Sequence, residues 1–216
     1  GATVTLEMSA NDLLDANSSL LGADMASLAG AGIDHIQVDL AAPNFGTDLN
    51  TSLATSQGAL DSLFGSDATL LNQLMSAADA TNSHNLGNVR LEVGNNQDNA
   101  SPVHISDAHA NTLITEGLSF AAHDNIALDA DTTAGTHLAN SLKQLEQLNI
   151  DSVAITGGGD LTVNLGAGGL DAIAGANLPS FDSGATVTLE MSANDLLDAN
   201  SNLLGADMAS LAGAGI

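Results

Sequence analysis

Residues 1–33 and residues 184–216 carry the same segment, GATVTLEMSANDLLDANSSLLGADMASLAGAGI, with a single change, Ser19 against Asn202. A chain that restarts itself after 183 residues reads as one whole unit, 1–183, followed by the opening of the next, 184–216. The reading that follows is an excerpt of a longer tandem array. A duplicated end capping a single unit is the competing origin of the copy.

Within the unit, strand signals are short and alternate strictly. TVTLEM places Val4, Leu6 and Met8 on one face and Thr3, Thr5 and Glu7 on the other. HIQVDL at 35–40 does the same, and VRLEV, VHIS, IALDA, VAIT and LTVNL follow. Period-two alternation predicts strands buried on one side and wetted on the other.

Between them the spacing is helical. Ser9, with Asp12 three residues on, is an N-cap for a stripe of Leu13, Leu14, Leu20, Leu21, Met25 and Leu28 that ends at Gly30 and Gly32. Ser106 opens a helix carrying Leu113, Ile114, Leu118 and Ala121, and Leu138, Leu142, Leu145 and Leu148 mark another. Residues 47–79 read as helical with a break near Gly65–Ser66, and 168–176 as a short, Gly-weakened turn of helix. Gly94–Ala100 and Gly157–Asp160 read as hairpin turns between adjacent strands. Strand–helix–strand steps are expected to be right-handed crossovers. The expected fold is α/β: a two-layer repeat with short strands in an open sheet and helices packed on one side.

An older duplication shows inside the unit. DHIQVDL at 34–40 parallels DNIALDA at 124–130, GTDLNTSL at 46–53 parallels GTHLANSL at 135–142, and ANDLL at 10–14 parallels ANTLI at 110–114. The half-repeats are placed at about 1–93 and 102–165, with 166–183 as a linking helix.

Charge narrows the function. Twenty-six acidic residues face two basic ones, Arg90 and Lys143, for a formal charge of −24. Such a polyanion repels nucleic acid and anionic lipid, and leaves little to bind a phosphate or carboxylate substrate. Cations from the medium, divalent ones above all, are the expected counter-charge. Cysteine is absent, which excludes disulfides and thiolate chemistry. No apolar run reaches the roughly 18–20 residues that span a bilayer, and the opening residues do not read as a signal peptide, so targeting information is expected elsewhere.

The cadence of a short strand, then SAND or SDAHAN, a Leu-rich helix, AGIDHIQVD and another strand resembles repeat modules of very long secreted bacterial surface proteins, the large adhesins and RTX-like substrates of type I secretion. The resemblance covers nearly the whole chain and rests on pattern and composition. It implies an extracellular location, calcium-rich surroundings and a non-enzymatic role. The calcium nonapeptide G-G-x-G-x-D is absent, and GGGDLTVNL at 157–165 only echoes it, so calcium sites of that class do not carry over.

Candidate chemistry is sparse. HISDAH (His104, Asp107, His109) is the densest metal-like cluster, set against a solvated His and a helix-start His. DADTT at 129–133 offers Asp129 and Asp131 as calcium ligands, without the central Gly and bidentate Glu of an EF-hand; the competing reading is a strand end before an acidic helix start. No nucleophile elbow, Walker loop, dinucleotide Gly motif or H-E-x-x-H is present, so an enzyme is not expected. The sequence points to a structural repeat of an extracellular bacterial fibre, sheath or giant adhesin, with neighbouring copies of itself as partners. The alternative is a calcium- or glycan-binding module of a secreted surface protein.

Overall fold

The computed structural model describes residues 3–9, 22–40, 56–65, 71–72, 74–76, 78–79, 89–93, 101–132, 136–166, 177–182, 184–196 and 205–216. The elements in chain order are β1 (Thr5–Ser9), α1 (Gly22–Gly30), β2 (His35–Asp39), α2 (Ser56–Gly65), β3 (Val89–Glu92), β4 (Val103–Ser106), α3 (Asp107–Thr115), β5 (Leu118–Phe120), β6 (Ile126–Asp131) and β7 (Thr136–His137). They continue with α4 (Leu142–Gln147), β8 (Ser152–Thr156), β9 (Leu161–Asn164), β10 (Ser180–Phe181), β11 (Val187–Glu190), a 3-10 turn at Ala193–Leu196, and α5 (Gly205–Ala214). Helical residues also fall within 71–79.

The class is α/β. The strands form three sheets rather than one: β1-β2-β3-β5, β10-β8-β6-β4 and β11-β9-β7. The pairs β1–β2, β2–β3, β3–β5, β6–β8, β8–β10, β7–β9 and β9–β11 are all parallel.

Parallel pairing overturns both expected hairpins. Residues 94–100 lie outside the described residues, but the strands flanking them, β3 and β4, belong to different sheets. Gly157–Asp160 likewise joins β8 to β9, which sit in different sheets, so GGGD is a corner. Gly157 and Gly158 take positive φ (91° and 71°), and a Cβ on Gly159 would collide with the Thr132 carbonyl. The Thr132 hydroxyl ties the corner down, donating to the Thr156 carbonyl (2.7 Å) and accepting the Gly159 amide (3.0 Å). A glycine-rich turn has the same composition whether it returns a strand or hands the chain to the next sheet.

The helix after Ser106 is shorter than expected. Ser106 does cap it, its hydroxyl accepting the His109 amide at 3.3 Å. The helix stops at Thr115, Gly117 turns with φ 70°, and Leu118–Phe120 become strand β5 beside β3. Leu142–Gln147 is opened by a Ser141–Gln144 capping box, with Leu138 ahead of the helix. A helix is described over Ser56–Gly65 and helical residues recur within 71–79; the expected break after Gly65 falls on 66–70, outside the described residues. The calls on Ser9–Asp12 capping, Leu13, Leu14, Leu20, Leu21, 46–53 and 168–176 rest on residues largely outside those described.

Packing divides the chain into two compact units, one of residues 1–103 and 113–125, the other of 104–112 and 126–216. In the first, Ile36, Val38, Leu40, Val89, Leu91 and Phe120 are wholly buried with Leu60, Leu63 and Leu74. In the second, Ile126, Leu128, Val153, Leu161 and Val163 are buried with Leu142, Leu145 and Leu148. Deleting such side chains to Ala costs about 2–5 kcal/mol each.

One local device recurs in both units. An aspartate just outside a strand accepts a backbone amide from the neighbouring chain segment: Asp34 from Val4 (2.7 Å), Asp124 from Val93 (2.8 Å), Asp151 from Ile126 (2.8 Å) and Asp182 from Ile155 (3.2 Å). Asp34 and Asp151 also donate their own amides to the Val4 and Ile126 carbonyls. The carboxylate therefore stands in for the next carbonyl and extends the ladder by one bond. Both follow the same helix ending: Gly32 (φ 85°) or Asn149 (φ 60°), then Ile33 or Ile150 bonded back to Leu28 or Leu145, then the aspartate.

Replacing Asp151 by Ala removes a charge-assisted bond to a partly buried amide and is expected to cost about 1–2 kcal/mol, with Asp151→Asn costing less. Urea denaturation of the three chains checks this; equal midpoints would refute the clamp.

Candidate functional site

The residues singled out from sequence turn to separate partners. His104 Nδ1 lies 2.7 Å from Asp129 Oδ1, joining β4 to β6 at a half-exposed position. Asp107 instead accepts the Ala139 amide (2.7 Å) and the Asn140 side-chain amide (2.6 Å). His109 contributes its amide to the α3 cap. HISDAH is thus three structural contacts, and among the described residues it gathers no metal-holding trio. Asp129 and Asp131 share one face of β6, both exposed, opposite Ala154 and Thr156. The Thr132 hydroxyl beside them is committed to the corner, and no third Asp, Glu or His joins the pair at ligand spacing among the described residues.

A carboxylate trio lies elsewhere. Glu7 on β1, Asp39 on β2 and Glu92 on β3 offer oxygens all within 4.8 Å of one another. The register explains it: Asp39 pairs with Glu92 and Glu7 with Gln37, so the three side chains leave one face of adjacent strands. That face carries the polar half of the alternation, yet it is not simply wetted. Glu92 is 0% exposed, Ser119 4% and Gln37 9%. Gln37 Nε2 donates to Glu92 Oε2 (2.9 Å), and His123 Nε2 sits 3.2 Å from Oε1.

Burial pushes the Glu92 carboxyl above its usual range; the Gln37 and His123 bonds pull it back, and Asp39 and Glu7 push it up again. Along the same face, burial first and Arg90 second lower the His35 imidazole, with Asp34 opposing them. Hard oxygen donors at this spacing suit calcium or magnesium, and a proton taken up by Glu92 relieves the same repulsion. Sequence reading missed Glu92 because alternation assigns a face and not its cover.

The repeated segment forms the other site. Both copies make the same elements: β1 and α1 in the first, β11 and α5 in the second. Each helix ends alike, with Gly32 and Gly215 at positive φ and Ile33 and Ile216 bonded back to Leu28 and Leu211. The strands, however, use opposite edges. In the first copy the Val4 carbonyl accepts the Asp34 and His35 amides, so Val4, Leu6 and Met8 turn their backbone toward β2. In the second, the Thr186 and Glu190 carbonyls accept from Leu161 and Leu165, so Thr186, Thr188 and Glu190 turn theirs toward β9. Thr186 and Glu190 correspond to Thr3 and Glu7, whose edge is the one β1 turns away from β2.

Helix burial follows the same rule. Leu211 is 2% exposed where α5 runs beside β10, with Gly215 close against Phe181. Its counterpart Leu28 is only half-buried.

No protein-family profile matches the chain, and no curated protein is significantly similar to it. Among the described residues no helix is long and apolar enough to cross a membrane.

The Glu92 environment sets a pH dependence. Its carboxyl titrates near 4.5 when unperturbed and higher in the fold, so its stabilising contribution is complete below the unfolded value and lost as pH rises through the folded one. In chelator, Glu92→Gln is expected to melt above the parent chain at pH 7.5, with the advantage shrinking toward pH 4.5. A constant difference across that range would refute the buried-carboxylate account.

Proposed function

We propose that the chain is a non-enzymatic structural repeat of an extracellular bacterial fibre, sheath or giant adhesin, whose work is to stack unit on unit. The observation that carries this reading is the use of opposite edges by the two copies of one segment. A single copy placed between a preceding β9 and a following β2 satisfies both of its edges, so a sheet continues through the boundary between units. Stability in such an array is the sum of unit and interface terms. The partners are neighbouring copies of the same repeat, and the charge of −24 keeps nucleic acid and anionic surfaces away.

A chain of two tandem 183-residue units closed by 184–216 tests the reading. It is expected to unfold at a higher denaturant midpoint than 1–216 and to lengthen in proportion by small-angle scattering. Equal midpoints with independently tumbling units would refute stacking.

A second reading, a calcium-binding module of a secreted surface protein, is favoured by the Glu7–Asp39–Glu92 trio. On this reading calcium raises the melting temperature more than sodium chloride of equal ionic strength, and Glu92→Gln abolishes the excess. Equal shifts from both salts would discard it.

A further inference from the structure

We infer that the C-terminal copy of one chain exchanges with the N-terminal copy of another, seating β11 beside β2 in the place of β1. The inference rests on the stacking reading and names its contact surface: the slot along β2, and a second copy of this chain as its occupant.

The slot cannot distinguish the two segments by their described residues, since Ser19 against Asn202 is their one difference and lies outside them. The donor also gives up nothing on its other side. Its backbone at Thr186 and Glu190 stays bonded to β9 of its own chain while the opposite edge, at Val187, Leu189 and Met191, is the one that β2 receives in the first copy. Apolar burial favours the same arrangement. As edge strands among the described residues, β1 and β11 leave Leu6, Met8, Leu189 and Met191 half-buried and Val4 44% exposed, whereas Ile36 and Val38 of the flanked strand β2 are 0% exposed. A strand held on both edges has the environment of β2.

Exchange trades one β2 ladder for an identical one, so concentration governs it in the unaltered chain. Weakening the resident copy alone tips the balance toward head-to-tail association, as edge strands and segment swapping allow. Leu6→Asp does this without touching the donor, and Leu189→Asp weakens the donor without touching the resident.

The chain lacks cysteine, so register is testable by cross-linking. Thr5 is the Cα partner of His35, and Thr188 is the counterpart of Thr5. Full-length His35→Cys/Leu6→Asp is mixed with full-length Thr188→Cys under oxidising glutathione. The expected yield of linked heterodimer is about tenfold that of a Thr186→Cys control, because partner Cα atoms about 4.8 Å apart fit a disulfide while a two-residue offset does not. The same mixture with His35→Cys alone repeats the measurement in a chain whose apolar strand residues are intact, with a smaller yield in the same order. By light scattering, Leu6→Asp is expected to associate, and both Leu189→Asp and the double variant to stay monomeric.

Equal yields from Thr188→Cys and Thr186→Cys in both backgrounds, with Leu6→Asp monomeric, would overturn the exchange. If the tandem two-unit chain still gains stability, stacking stands and only exchange falls. If it does not, both fall.

Discussion

A parallel strand turns alternate residues to its two neighbours, so an edge strand always leaves half of its backbone groups without a ladder. That constraint organises this molecule. Every strand pair of established register is parallel, and each strand is completed only by the one laid beside it. Where the ladder would stop, at Val4, Val93, Ile126 and Ile155, an aspartate supplies the missing acceptor. The helix endings at Gly32 and Asn149 place two of those aspartates in position, which links a local cap to sheet pairing. Among the described residues the same arithmetic leaves β1 and β11 paired on one edge each, and the edge that one copy pairs corresponds to the edge that the other leaves.

The acidic composition has two distinct structural uses. Asp34, Asp124, Asp151 and Asp182 accept backbone amides and thereby hold strands together. Glu7, Asp39 and Glu92 crowd on one face, where Glu92 lies fully buried against Gln37 and His123. With only two basic side chains in the chain, and one of them, Lys143, bonded to Glu146 on its own helix, internal charge compensation is scarce. Protons and cations from the medium are the remaining means of relieving that crowding.

Much of the fold was legible in the sequence. The strands at TVTLEM, HIQVDL, VRLEV, VHIS, IALDA, VAIT and LTVNL stand where alternation placed them, and Ser106 opens a helix as its type and position imply. Pairing was not legible. Alternation marks a face but is indifferent to strand direction, so the Gly157–Asp160 corner reads as a hairpin, and 94–100 does too although β3 and β4 belong to different sheets. The short strands Leu118–Phe120, Thr136–His137 and Ser180–Phe181 are too brief to show a period and were missed. Of the candidate ligands, Asp129 carries an ion-pair geometry with His104, and the buried Glu92 had no local signature, because its burial depends on elements distant in sequence. The G-I-D and N-I-D steps at 32–34 and 149–151 did carry a readable signal: a left-handed helix end followed by an acceptor.

The most direct measurement of the central claim is residue-resolved amide exchange by NMR on the 216-residue chain, at a dilution where it is monomeric. If each copy of the segment is completed on the opposite edge, Leu6 and Met8 exchange slowly and Thr5 fast in the first copy. In the second copy Thr188 and Glu190 exchange slowly and Leu189 fast. Protection at the same positions of both copies would contradict the account.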